Sequence, residues 1–116
     1  MRLRANSLLY LAALCSLPAI AAESLTFEQG QALLRQKACL GCHQIDKKRV
    51  GPAFVDIANR YGGNFDAGVT YLAATIRNGG RGKWGAVPMP AQPQVSEAQA
   101  RELAAWILGL IQKPEK

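Results

Sequence analysis

The sequence predicts an all-α domain of about four short helices. Two capping boxes, Thr26 with Gln29 and Ser96 with Gln99, each stand just ahead of apolar residues spaced three and four apart. Clusters of glycine, proline and asparagine separate the apolar-periodic stretches. The apolar-polar alternation that marks a half-buried strand is essentially missing. With 116 residues, 49% hydrophobic and 19% charged, the chain has the composition of one ordinary folded domain rather than a disordered one.

The first segment predicts no part of that domain. Met1-Arg2-Leu3-Arg4 is a basic start, Leu8 to Leu17 an apolar run, and Ala19-Ile20-Ala21 a small-residue cleavage pattern. Together they predict a cleaved secretory signal over residues 1–21, with cutting after Ala22 as the other option, and a mature domain over 22–116. The apolar stretch from Leu8 to Ala22 falls short of the ~20 residues that span a bilayer. A lipid anchor on Cys15 is opposed by Leu14, which stands where a small residue is expected. Cleavage removes Arg2 and Arg4 and no acidic residue, which takes the net charge from +6 to +4. It also removes Cys15 and Met1, leaving Cys39 and Cys42 as the only thiols and Met89 as the only methionine.

The first helix begins after Thr26 and presents Phe27, Leu33 and Leu34 with the small Gly30 and Ala38. A glycine inside a helix costs roughly 1 kcal/mol relative to alanine, so Gly30 suggests that another helix crosses tightly there. This helix is expected to run directly into Cys39-Leu40-Gly41-Cys42-His43. A polar loop follows with Lys47-Lys48-Arg49, then a turn at Gly51-Pro52 and a short helix over Ala53–Tyr61 stopped by Gly62-Gly63. Asp66 is expected to cap a third helix with an apolar stripe of Val69, Leu72, Ala73 and Ile76, ended by Asn78-Gly79-Gly80. Residues 79–93 form a glycine- and proline-rich loop, and a loop that long in so small a domain is usually functional. The last helix opens after Ser96, places Leu103, Trp106, Ile107 and Leu110 on one face, and ends between Gly109 and Gln112.

The chemistry is concentrated in Cys39-Leu40-Gly41-Cys42-His43. Two thiols at that spacing form thioethers to the two vinyl groups of one porphyrin, and the adjoining imidazole becomes the proximal iron ligand. The motif therefore predicts one covalently attached c-type haem. A zinc site is disfavoured because His43 is the only histidine, and structural zinc wants four ligands. A thioredoxin-like dithiol would follow a strand, and no strand precedes Cys39. A haem iron has a second axial position, and Met89, 46 residues beyond His43, is the only mature thioether. Its setting, Pro88-Met89-Pro90 in an irregular loop, suits fixed presentation better than core filling. Met89 is thus expected as sixth ligand, with lysines such as Lys83 as competitors when deprotonated at high pH.

At this point the chain resembles a known family, the class I c-type cytochromes, and within it the small bacterial soluble single-haem members. The resemblance spans residues 24–112 and rests on Cys39-Leu-Gly-Cys-His43, Val50-Gly-Pro-Ala-Phe54, Ile76-Arg-Asn-Gly79, Lys83-Trp-Gly-Ala-Val-Pro-Met-Pro90 and the aromatic-bearing last helix. It implies the cytochrome c fold, with about four helices wrapped round one haem and the first and last crossing at Gly30 and Trp106. It also implies that the Pro52 carbonyl accepts a hydrogen bond from the His43 imidazole, and that the Trp84 indole N–H points at a haem propionate. Where relatives often place an asparagine near the methionine sulfur, this chain has Ala91-Gln92, which leaves the orientation of that sulfur open. Arg60 and Arg81 are further candidates for pairing with propionates.

With both axial positions filled by protein, no substrate can coordinate iron, and no nucleophile or paired carboxylates suggest an enzyme. The expectation is a monomeric periplasmic electron carrier, with Lys47, Lys48, Arg49 and Lys83 steering acidic redox partners. Two other readings stay open: a cytochrome subunit dedicated to one periplasmic oxidoreductase, and a haem sensor or peroxidase with an unligated distal site. Nucleic-acid binding lacks a basic helix or aromatic platform despite a pI near 9.6.

Overall fold

In the computed structural model, which describes residues 16–17 and 23–111, four helices carry the chain. They are α1 Phe27–Gln36, α2 Phe54–Tyr61, α3 Phe65–Asn78 and α4 Glu97–Leu108. The cleavage positions expected at Ala21 and Ala22, and Gln112 at the far end, lie outside the described residues. Among the described residues there is no strand, only an isolated antiparallel bridge between Gly80 and Met89. The predicted all-α architecture is the one found.

Both capping boxes form. Thr26 accepts from the Gln29 amide at 3.2 Å, and the Gln29 side chain accepts from the Thr26 amide at 2.8 Å. Ser96 and Gln99 repeat the exchange at 3.1 Å in each direction. Such caps contribute about 1 kcal/mol each by satisfying amides the helix cannot. The cap of α3 differs from expectation: it is Asn64, whose side chain accepts from the Ala67 amide at 3.1 Å. Asp66 sits inside the first turn instead, where its charge complements the helix dipole. Helix α2 has no side-chain cap. The Phe54 and Val55 amides donate to the Gln44 and Ile45 carbonyls at 2.9 and 3.0 Å, so the residues just after His43 cap this helix.

Helix α1 does not run into the Cys39–His43 segment. It stops at Gln36, and Ala38 adopts a left-handed conformation at φ 63° before a 3-10 turn over Cys39–Gly41. An L-residue there costs roughly 1–2 kcal/mol, and the bend redirects the chain so that both cysteines leave the α1 axis.

Helix α4 is the centre of the packing, with α1, α2 and α3 all against it. The core joins Leu34, Phe54, Ile57, Leu72, Ile76, Leu103 and Ile107 from all four helices. The α1–α4 crossing is close. A Cβ at Gly30 would lie 2.1 Å from Trp106 Nε1, and the Trp106 indole N–H donates to the Thr26 carbonyl at 3.1 Å. Phe27 packs its ring 5.6 Å from that of Trp106 while half its surface stays in solvent.

Candidate functional site

One cleft, about 1260 Å³ counting the solvent at its mouth, brings together residues from every helix and both long loops. Its floor is apolar, built from core side chains such as Leu34, Ile57, Leu72 and Ile76. Cys39, Cys42, His43, Pro52, Trp84 and Met89 all line it. The six residues singled out in the sequence are therefore neighbours in space.

His43 is the most constrained of them. It is buried, with its ring stacked on Phe54 at a centroid distance of 5.0 Å. Its Nδ1 lies 2.7 Å from the Pro52 carbonyl oxygen. A carbonyl can only accept, so Nδ1 carries the proton and Nε2 is left with its lone pair, as a metal-ligating imidazole requires. Gly51 makes this approach possible. A Cβ there would sit 2.6 Å from His43 Cε1, and the Gly51 amide donates to the Cys42 carbonyl at 2.8 Å. In the sequence Gly51-Pro52 reads as a turn; the steric demand at Gly51 and the stacking of Phe54 on His43 were not read from it.

Cys39, half-buried, and Cys42, exposed, stand at the edge of the cleft with no disulfide between them. Burial pushes the Cys39 thiol above its ordinary range, partly offset by a backbone hydrogen bond. Among the described residues no three histidine, cysteine or acidic side chains converge as a metal cluster would need. Two adjacent thiols, an imidazole with Nδ1 committed, a thioether and a large apolar floor do fit a covalently held haem.

Met89 is half-buried and held by its backbone. Its amide donates to the Gly80 carbonyl at 2.8 Å, and its carbonyl accepts from the Gly80 amide at 3.0 Å. Gly79 precedes this pair at φ 76°, and a Cβ on it would meet the Met89 carbonyl oxygen at 2.6 Å. Only glycine combines that conformation with that approach. The Gln92 amide donates to the Ile76 carbonyl at 3.1 Å, which ties the loop to the end of α3. The Gln92 side chain donates to the Pro90 carbonyl at 2.9 Å.

Trp84 is part-exposed at the cleft. Arg60 holds it: the guanidinium carbon lies 4.6 Å from the indole centroid, and Nη1 donates to the Lys83 carbonyl at 2.6 Å. Arg60 is therefore engaged with the Trp84 loop and is not among the cleft-lining residues, whereas Arg81 is.

The cytochrome c family model matches residues 27–110. Cytochrome c-552 of Hydrogenobacter thermophilus is 50% identical over 86 residues, 74% of this chain and 85% of the relative. Cytochrome c-551 of Pseudomonas denitrificans is 47% identical over 81 residues, 70% of this chain and 96% of the relative. The crystal structure of Nitrosomonas europaea cytochrome c552 superposes with a TM-score of 0.66 at 46% identity, covering 69% of this chain and 98% of that one.

Proposed function

The chain belongs to the cytochrome c family, with one covalently attached haem c per chain, and from that premise we propose a periplasmic one-electron carrier with His43 and Met89 as axial ligands. The observation that carries this reading is that an imidazole with Nδ1 committed to Pro52 and the only mature thioether line the same apolar cleft. The bound haem supplies the Fe(III)/Fe(II) couple. Cys39 and Cys42 hold it as thioethers, and His43, fixed by Pro52 and Phe54, offers Nε2 in one orientation. Met89 offers a soft, neutral donor that favours the reduced state, and the apolar floor keeps water out. Trp84 and Arg81 line the cleft and are the groups that would meet propionates. Residues 1–21 act as the export signal that delivers the chain to the periplasm. No helix among the described residues is long and apolar enough to cross a membrane.

Attachment is tested directly. Cys39 and Cys42 are the only thiols of residues 22–116, so denaturing electrophoresis should retain one haem per chain and thiol titration should find none free. Haem that extracts into acid-acetone would overturn covalent attachment. Cys39→Ala should leave at most one thioether.

The partner surface is tested by salt. Lys47, Lys48, Arg49 and Lys83 are exposed, on the loops beside the cleft. Electron exchange with an acidic partner should slow steeply as salt rises, because the Debye length shrinks from ~10 Å at 0.1 M to ~3 Å at 1 M. A rate indifferent to salt would point instead to the exposed apolar side chains Val50 and Val87 as the docking surface.

A further inference from the structure

We propose that Lys37 and Gln94 form a latch that holds the Met89 loop against the segment bearing the cysteines, which makes both of them positioning residues for the loop. The Lys37 ammonium donates to the Gln94 carbonyl at 3.0 Å, and the Gln94 side-chain amide donates to the Lys37 carbonyl at 3.1 Å. Each residue thus serves the other's backbone across 57 positions of sequence. Lys37 is the C-cap of α1, two residues before Cys39. Its carbonyl belongs to the set that a helix end leaves without an internal partner, and the Gln94 amide supplies one.

The hydrogen bonds continue from Gln94 towards Met89. The Gln94 amide also donates to Gln92 Oε1 at 2.7 Å, and the Gln92 amide nitrogen Nε2 donates to the Pro90 carbonyl at 2.9 Å. Among the described residues, the two Lys37–Gln94 bonds are the only ones joining α1 and the Cys39–His43 segment to residues 79–95. The other tethers of the loop run to α2 and α3, through Arg60 and Ile76. Lys37 and Gln94 both reach solvent, and neither belongs to the apolar core. Their loss opens the loop locally and leaves the helix packing in place.

The consequence for the iron rests on Met89 being its sixth ligand, whereas the closure of the loop does not. The experiment therefore reads both on the haem-loaded protein, in Gln94→Ala, Lys37→Met and the conservative Lys37→Arg. Native-state hydrogen exchange at the Met89 and Gln92 amides should accelerate roughly five- to tenfold in the first two variants, the loss expected from one net hydrogen bond. The Leu103 amide in α4 should be unchanged, and Lys37→Arg should behave as the unmutated protein. Carbon monoxide binding to the ferrous protein should quicken by a similar factor. Unchanged exchange at Met89 and Gln92, or equal acceleration at Leu103, overturns the latch. Accelerated exchange with carbon monoxide binding that is fast and identical in every variant, unmutated protein included, supports the latch and overturns Met89 ligation instead.

Discussion

Met89→Ala should open the distal side of the haem and produce a large functional change. The ferric protein should lose the weak long-wavelength charge-transfer band of thioether ligation. The ferrous protein should bind carbon monoxide, and the ferric one cyanide. If the unmutated loop releases iron about 1% of the time or less, removing the competing sulfur raises apparent affinity about a hundredfold or more. The potential should fall, because the lost ligand favours the ferrous state. The loop itself should persist, since the Gly80–Met89 pair and the Gln92–Ile76 bond use backbone groups that alanine retains. An unmutated protein that already lacks the band and binds carbon monoxide as fast as the variant would have an open distal site. The reading would then move from carrier to sensor or peroxidase.

Gly30→Leu should be strongly destabilising although it lies away from the iron. A Cβ at this position would lie 2.1, 2.2 and 2.5 Å from Trp106 Nε1, Cε2 and Cδ1. The ring has little room to retreat: it is buried, packed at a tilt against Phe27 and bonded to the Thr26 carbonyl. Overpacking of this kind costs roughly 1–3 kcal/mol, and losing the indole hydrogen bond adds about 0.5–1.5 kcal/mol. The denaturation midpoint of the haem-loaded protein should therefore drop with little change in slope. Truncating the ring should recover part of the loss, so that Gly30→Leu with Trp106→Leu is less destabilising than the sum of the two. A Gly30→Leu protein as stable as the original would mean that α1 and α4 do not cross at this glycine.

These effects differ in how far they were visible from the sequence. Cys39, Cys42 and His43 could be read as a haem-attachment motif because their chemistry depends on a spacing within five residues. The two capping boxes were legible for the same reason: a side chain bonds an amide three residues away, and only the dihedrals of one turn decide it. Met89 emerged by elimination, which needs the composition and no geometry. The apolar stripe of α3 was equally local, and Val69, Leu72, Ala73 and Ile76 are all buried as its period required.

Other features belonged to the packing. Residue identity did not choose between Asn64 and Asp66 as the α3 cap, because both types cap well and the path of the chain out of α2 decides which is first. Nothing in Lys37-Ala38-Cys39 announces a left-handed residue, since alanine ordinarily favours continuing the helix. The closeness of Gly51 to His43, and the Lys37–Gln94 pair across 57 positions, exist only once the helices have been brought together on α4. Sequence by itself determined the attachment motif, the starts of α1 and α4 and the candidate ligands, because each depends on composition or on neighbours along the chain. The choice of Asn64 as the α3 cap, the approach of Gly51 to His43 and the closure of the Met89 loop were decided by tertiary structure alone. They depend on distances between segments that only the burial of a shared core fixes.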